Sequence, residues 1–119
     1  MNINTTIEKD FYSVKLTAEE NGEVLGWIYL YVLGNSRHEE PWGFLENLYV
    51  EPEHRSKGIG RQLVSAAIEE AKKRDCYKLL GTTRHTKPEL HAFYERFGFK
   101  NWGVEFRMDL KDSKTKQAD

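Results

Sequence analysis

The sequence predicts an α/β domain built on one mixed, mostly antiparallel sheet of about six strands, flanked by two main helices. Three observations carry this. Residues 11–50 hold three strand-like runs separated by turn signals. Ile59, Leu63, Val64, Ala67, Ile68 and Ala71 then recur at helical spacing. A further strand-sized run, 77–83, follows that helix, which suits a right-handed crossover to a parallel partner.

At 119 residues the chain is expected to be one domain, 1–119, with a single core and loosely held ends at 1–10 and 111–119. The 18 basic and 19 acidic residues leave a net charge of −1, which argues against a general nucleic-acid binder. No apolar run approaches the roughly 20 residues of a membrane span, and residues 1–10 lack the pattern of a signal peptide. A single cysteine, Cys76, excludes an internal disulfide and suits a reducing, cytoplasmic setting. Cys76 reads as structural or incidental, not as a nucleophile. The four histidines show no metal spacing and there is no cysteine pair, so no metal site is expected.

Phe11–Glu20 alternates, with Phe11, Ser13 and Lys15 on one side and Tyr12, Val14 and Leu16 on the other, as a half-buried strand does. Asn21-Gly22 is a hairpin signal, because a tight primed turn needs positive φ at both positions. Glu23–Leu33 is the returning strand, apolar on both faces in its middle. Gly34–Pro41 reads as a charged loop, and Trp42–Val50 as a third strand antiparallel to the second. The helix from Ile59 is expected to end near Arg74, where Lys72, Lys73 and Arg74 suit the negative end of its dipole. After the 77–83 strand comes a loop, then a helix from Pro88 to about Phe97, with Pro88 in its first turn and Gly98 ending it. Phe99–Asn101 and Val104–Leu110 read as the last two strands, and the residues beyond as a charged tail.

The chemistry concentrates at residues 45–68. Leu45–Val50 is a strand, Pro52 breaks it, and Arg55–Gly60 is a basic, glycine-rich turn into the helix. The first N–H groups of a helix lack internal partners and carry partial positive charge, so they suit a phosphate. Gly58 and Gly60 permit close approach to the backbone, and Arg55, Lys57 and Arg61 add full charges. The plainer reading is a strand-to-helix turn with solubilising charges. A Walker loop is absent. A dinucleotide fingerprint fails because Leu63 stands where its third glycine would be, and the chain is too short for that fold.

Arg55-Ser56-Lys57-Gly58-Ile59-Gly60 resembles the Arg/Gln-x-x-Gly-x-Gly/Ala signature of the GNAT superfamily, the acetyl-CoA-dependent N-acetyltransferases. His91-Ala-Phe-Tyr-Glu-Arg-Phe-Gly-Phe99 resembles that family's second motif, Phe-Tyr-x-x-x-Gly-Phe, in the right order downstream. The resemblance covers residues 11–110 and implies a GNAT fold with a shortened N-terminal part. The family's opening strand and two helices are not recognisable, which implies a more open acceptor site or one completed by a second subunit. A homodimer through the last strands is common in the family.

The resemblance implies that the strands matching Leu45–Val50 and Tyr77–Thr83 splay apart around pantetheine. Leu48, Tyr49 and Val50 would present backbone groups to the pantetheine and the thioester carbonyl. Arg55, Ser56, Lys57, Gly58, Ile59, Gly60 and Arg61 would hold the pyrophosphate of acetyl-CoA, used as co-substrate. Glu46 matches a position where some members place a base, and an outward surface carboxylate is its plainer reading. Tyr94 matches the general acid that protonates the leaving thiolate, and a packed helix tyrosine is its plainer reading. The asparagine that members often carry near residues 84–90 is missing. The implied function is acetyl transfer to a primary amine, on a small molecule or a protein, in a ternary complex. The alternative is an inactive acyl-CoA sensor or interaction module of the same fold.

Overall fold

A computed structural model describes residues 1–111 of the chain. They fall into two compact units, Met1–Gly81 and a second that begins at Thr82.

The first unit is a four-stranded sheet in the order β1-β2-β3-β4, with strands Tyr12–Glu20, Glu23–Asn35, His38–Val50 and Leu79–Gly81. The first three pair antiparallel and β4 pairs parallel with β3, as the sequence predicts. Asn21 and Gly22 have φ of 51° and 80°, so the first hairpin closes with positive φ at both central positions. The second hairpin is tighter than expected. The strands run on through the charged residues and pair Asn35 with His38, leaving only Ser36 and Arg37 as the turn. A ladder is made of backbone bonds, so exposed charged side chains do not end it. Glu8 moors residues 1–10 to this turn, its carboxylate accepting bonds of 3.2 Å from both Ser36 N and Ser36 Oγ.

Helix α1, Ile59–Lys73, crosses one face of the sheet. Its Leu63, Val64, Ala67 and Ala71 meet Ile28, Leu30, Val32 and Leu45 in the core, all 4% exposed or less. The small residues Ala67 and Ala71 let the helix lie close to the strands. Removing three buried carbons at Leu30 (Leu30→Ala) costs about 2–5 kcal/mol at such sites.

The other face of the sheet follows from the register. Cross-strand partners share a face, and alternate residues along a strand return to it. The row Lys15–Tyr29–Glu46 therefore lies beside Thr17–Trp27–Tyr49 and Ser13–Tyr31–Phe44. This face is aromatic, and its rings are half-buried. Trp27 and Tyr49 stand 4.8 Å apart, Tyr29 and Tyr31 6.2 Å.

In the second unit, helix α2 spans Pro88–Glu95, with Pro88 opening it and Gly98 at φ 100° following its end. Residues 99–101 and 104–110 form no strand, so the described sheet has four strands, not six. Trp102, Val104, Phe106, Met108 and Leu110 keep a strand's alternation and are 63–91% exposed. Alternation specifies a face but supplies no hydrogen-bonding neighbour, and none pairs with this segment among the described residues. The tail expected at 112–119 lies outside the described residues.

Candidate functional site

Strand β3 is irregular where the site is expected. Trp27 pairs with Tyr49 and Tyr29 with Glu46, so Asn47 and Leu48 together stand opposite the single residue Ile28. That is a β-bulge. Asn47 takes φ 59°, a conformation that asparagine tolerates better than most residues. The bulge has a chemical consequence. Glu46 and Tyr49 are three apart and would face opposite ways in a regular strand; here both lie on the aromatic face. Gly26 makes room on the partner strand, since a Cβ there would sit 2.5 Å from the Tyr49 carbonyl oxygen. No periodicity argument locates this bulge. The available signals are Asn47 itself and Gly26 across from it.

On its other side β3 loses its neighbour at the same place. Parallel pairing with β4 runs Gly43↔Leu79, Phe44↔Leu80 and Leu45↔Gly81, and ends there. Among the described residues, nothing on the β4 side pairs in a ladder with Glu46–Val50. Among the described residues, the Leu48–Val50 stretch thus has its ladder neighbours on the β2 side only.

The chain then turns through a short 3-10 segment, Pro52–His54, and enters α1. Glu51 N donates to Leu25 O at 2.8 Å, and His54 Nε2 lies 3.3 Å from Glu23 Oε2, so the turn is tied to the start of β2. Arg55 Nε donates to the Val50 carbonyl at 2.8 Å, with the guanidinium 5.4 Å from the Tyr49 ring centroid. This anchoring is not legible in the sequence, which assigns Arg55 only to anion binding. The bond uses one of five guanidinium N–H donors. Ser56 and Gly58 have φ of 65° and 83°, and a Cβ at Gly58 would meet nothing within 4 Å. Gly58 is glycine for its backbone, and it leaves open space above the helix start. Among the described residues no side chain caps α1, so the N–H groups of Ile59, Gly60 and Arg61 have no capping partner. Gly60 sits beside Leu48 and Val50, where a Cβ would find their side chains at 4.0 and 3.9 Å. Lys57 and Arg61 are exposed.

The first unit thus brings together Glu46, Leu48, Tyr49, Val50 and the whole of Arg55–Arg61. Glu46 is exposed. Tyr94 belongs to the second unit, on α2. Its ring packs edge-on against Phe93 at 5.3 Å and Phe99 at 5.6 Å. Burial pushes its phenol above the usual value, which keeps it protonated at neutral pH. In the same unit His91 Nε2 lies 2.9 Å from the Arg84 carbonyl oxygen.

The motif resemblance implies a strand that parts from its parallel neighbour before a glycine-rich, basic helix start, and β3 ends its ladder with β4 at Leu45 before such a start. The profile of the Acetyltransferase (GNAT) family matches residues 4–99. This chain belongs to the GNAT family. It is 36% identical over 88 residues to an uncharacterized N-acetyltransferase of Bacillus subtilis, covering 74% of this chain and 59% of that protein. It is 32% identical over 108 residues to the aminoglycoside N(6')-acetyltransferase type 1 of Stenotrophomonas maltophilia, covering 85% and 69%. A solved structure of a putative acetyltransferase from Agrobacterium tumefaciens superimposes with a TM-score of 0.75 at 34% identity, covering 82% of this chain and 68% of that one. The GNAT chain described here therefore spans about three fifths of the length of the Bacillus relative. Among the described residues, four strands and two α-helices make up its GNAT fold. Among the described residues, no helix is long and apolar enough to cross a membrane.

Proposed function

We propose that this GNAT chain binds acetyl-CoA along β3 and the Arg55–Arg61 loop and transfers the acetyl group to a primary amine on a small molecule. The observation that carries the reading is the coincidence of three features at one end of β3. The ladder to β4 stops, the bulge at Asn47–Leu48 re-aims the strand, and the uncapped start of α1 follows within ten residues of Val50.

The chemistry needs each of these. The pyrophosphate takes the α1 N–H groups of Ile59, Gly60 and Arg61, the open backbone at Ser56 and Gly58, and the charges of Lys57, Arg61 and Arg55. The backbone of Leu48, Tyr49 and Val50 bonds the pantetheine arm as a missing strand would. One of those N–H groups meets the thioester oxygen, where negative charge grows as the amine attacks. The new N–C bond forms, the C–S bond breaks, and the departing thiolate takes a proton, the role that the motif resemblance assigns to Tyr94. The amine loses a proton to Glu46, directly or through water, so one proton leaves the nitrogen and one reaches the sulfur. Holding both reactants on one strand supplies much of the rate. The name of the Stenotrophomonas relative supports a small molecule, not a protein, as the acceptor.

The test is thiol release from acetyl-CoA by the full chain against a panel of primary amines. Saturable release that depends on both substrates is the expected result. Acetyl-CoA binding with no release on any amine would make the protein a sensor instead of an enzyme.

A further inference from the structure

Lys15, Tyr29 and Glu46 form one row across β1, β2 and β3, in direct register on the aromatic face. The Lys15 ammonium lies over the floor of that row, 5.0 Å from the Trp27 ring centroid and 5.6 Å from that of Tyr29. Two strand spacings, about 9–10 Å, separate the backbones at its ends. Among the described residues neither Lys15 nor Glu46 forms an ion pair. Both side chains are exposed, and the rings between them are half-buried. A carboxylate and an ammonium thus stand at opposite ends of an aromatic floor, and neither neutralises the other.

We infer that Lys15 selects the acceptor: the site takes amines that also carry an anion, a carboxylate or a phosphate, at the far end of the molecule from the nitrogen. This rests on the amine-acetyltransferase reading above and adds the substrate class. With the amine at Glu46, the carbon frame lies across Tyr29 and Trp27 and the anion meets the Lys15 ammonium. A polycationic acceptor in the same pose brings a second ammonium against Lys15, a like-charge contact that opposes binding. The rings hold Lys15 in place by cation–π attraction, so its charge is pre-positioned.

The experiment compares glucosamine 6-phosphate, glucosamine and spermidine as acceptors for the full chain, in wild type, Lys15→Ala, Lys15→Arg and Lys15→Glu. The first two acceptors differ only by the phosphate. The wild type is expected to prefer the phosphate ester by about 10- to 100-fold in kcat/KM, the scale of one charge-assisted contact. Lys15→Ala collapses that ratio towards unity through KM, Lys15→Arg restores it, and Lys15→Glu turns the preference towards spermidine. A wild type that prefers spermidine, or a Lys15→Ala change equal for all three acceptors, overturns the inference. Calorimetry of the same three compounds on the CoA-bound protein is read in parallel. Absence of turnover on any amine fails the enzymatic reading alone; equal affinity for glucosamine and its phosphate in wild type fails the role of Lys15.

Discussion

In the proposed reaction Glu46 and Tyr94 divide the proton traffic, and each leaves a distinct mark on pH. A primary amine is mostly protonated near neutrality, so loss of the group that takes its proton costs most there. Glu46→Gln is therefore expected to lower turnover by about 10²-fold near neutrality and to recover as rising pH frees the amine without help. An unchanged pH–rate profile would remove Glu46 from the mechanism. Tyr94 is shifted in the useful direction, because burial disfavours the phenolate and raises its pKa. The sign is that of a group kept protonated. Its donor role is intact below the ordinary phenol value of about 10 and is lost only as pH climbs through the higher folded value. Tyr94→Phe should cut turnover by about 10- to 100-fold while leaving acetyl-CoA affinity near wild type; full turnover in that variant would refute the acid. Lys57 and Arg61 belong to the same scale. Reversing either charge to Glu should weaken acetyl-CoA binding and flatten its salt dependence, since exposed charges act through a screened field.

Strand β3 is the element on which the site depends, and its bulge is where pattern reading stops. Alternation in Leu45–Val50 identifies a strand but assigns Glu46 and Tyr49 to opposite faces. The positive φ of Asn47 brings them to one. Asn47→Gly should retain the bulge, whereas Asn47→Val places a β-branched residue at φ 59° and should cost about 1–3 kcal/mol. Thermal unfolding of the two variants separates them, and equal melting temperatures would show that the bulge does not depend on this conformation. The turns were more legible. Asn21-Gly22 announces positive φ because few other residues take it at low cost, and both positions carry it. The second hairpin was not, because the charge of Arg37–Glu40 masks a backbone ladder that side-chain polarity does not affect. The last two expected strands failed for the converse reason: Val104, Phe106 and Met108 have a strand's pattern and no described neighbour to pair with.

Across the whole molecule, the antiparallel strands and the parallel crossover through α1 were readable from strand-like runs, a turn signal and one helical periodicity, and the GNAT family from two short motifs. The glycine-opened, basic start of α1, whose assignment to acetyl-CoA is our proposal, was readable from Arg55–Arg61. The aromatic face was not, because Trp27, Tyr29, Tyr31 and Tyr49 become neighbours only once the register is fixed. The central claim is that this face and the Arg55–Arg61 loop serve acetyl-CoA and its amine partner. Its most direct test is calorimetric titration of the full chain with acetyl-CoA, alongside the double variant Gly58→Asp, Gly60→Asp checked for an unchanged fold by circular dichroism. Saturable binding in the wild type, abolished in the folded double variant, is the predicted result. Absence of binding in the wild type, or equal affinity in the variant, would contradict it.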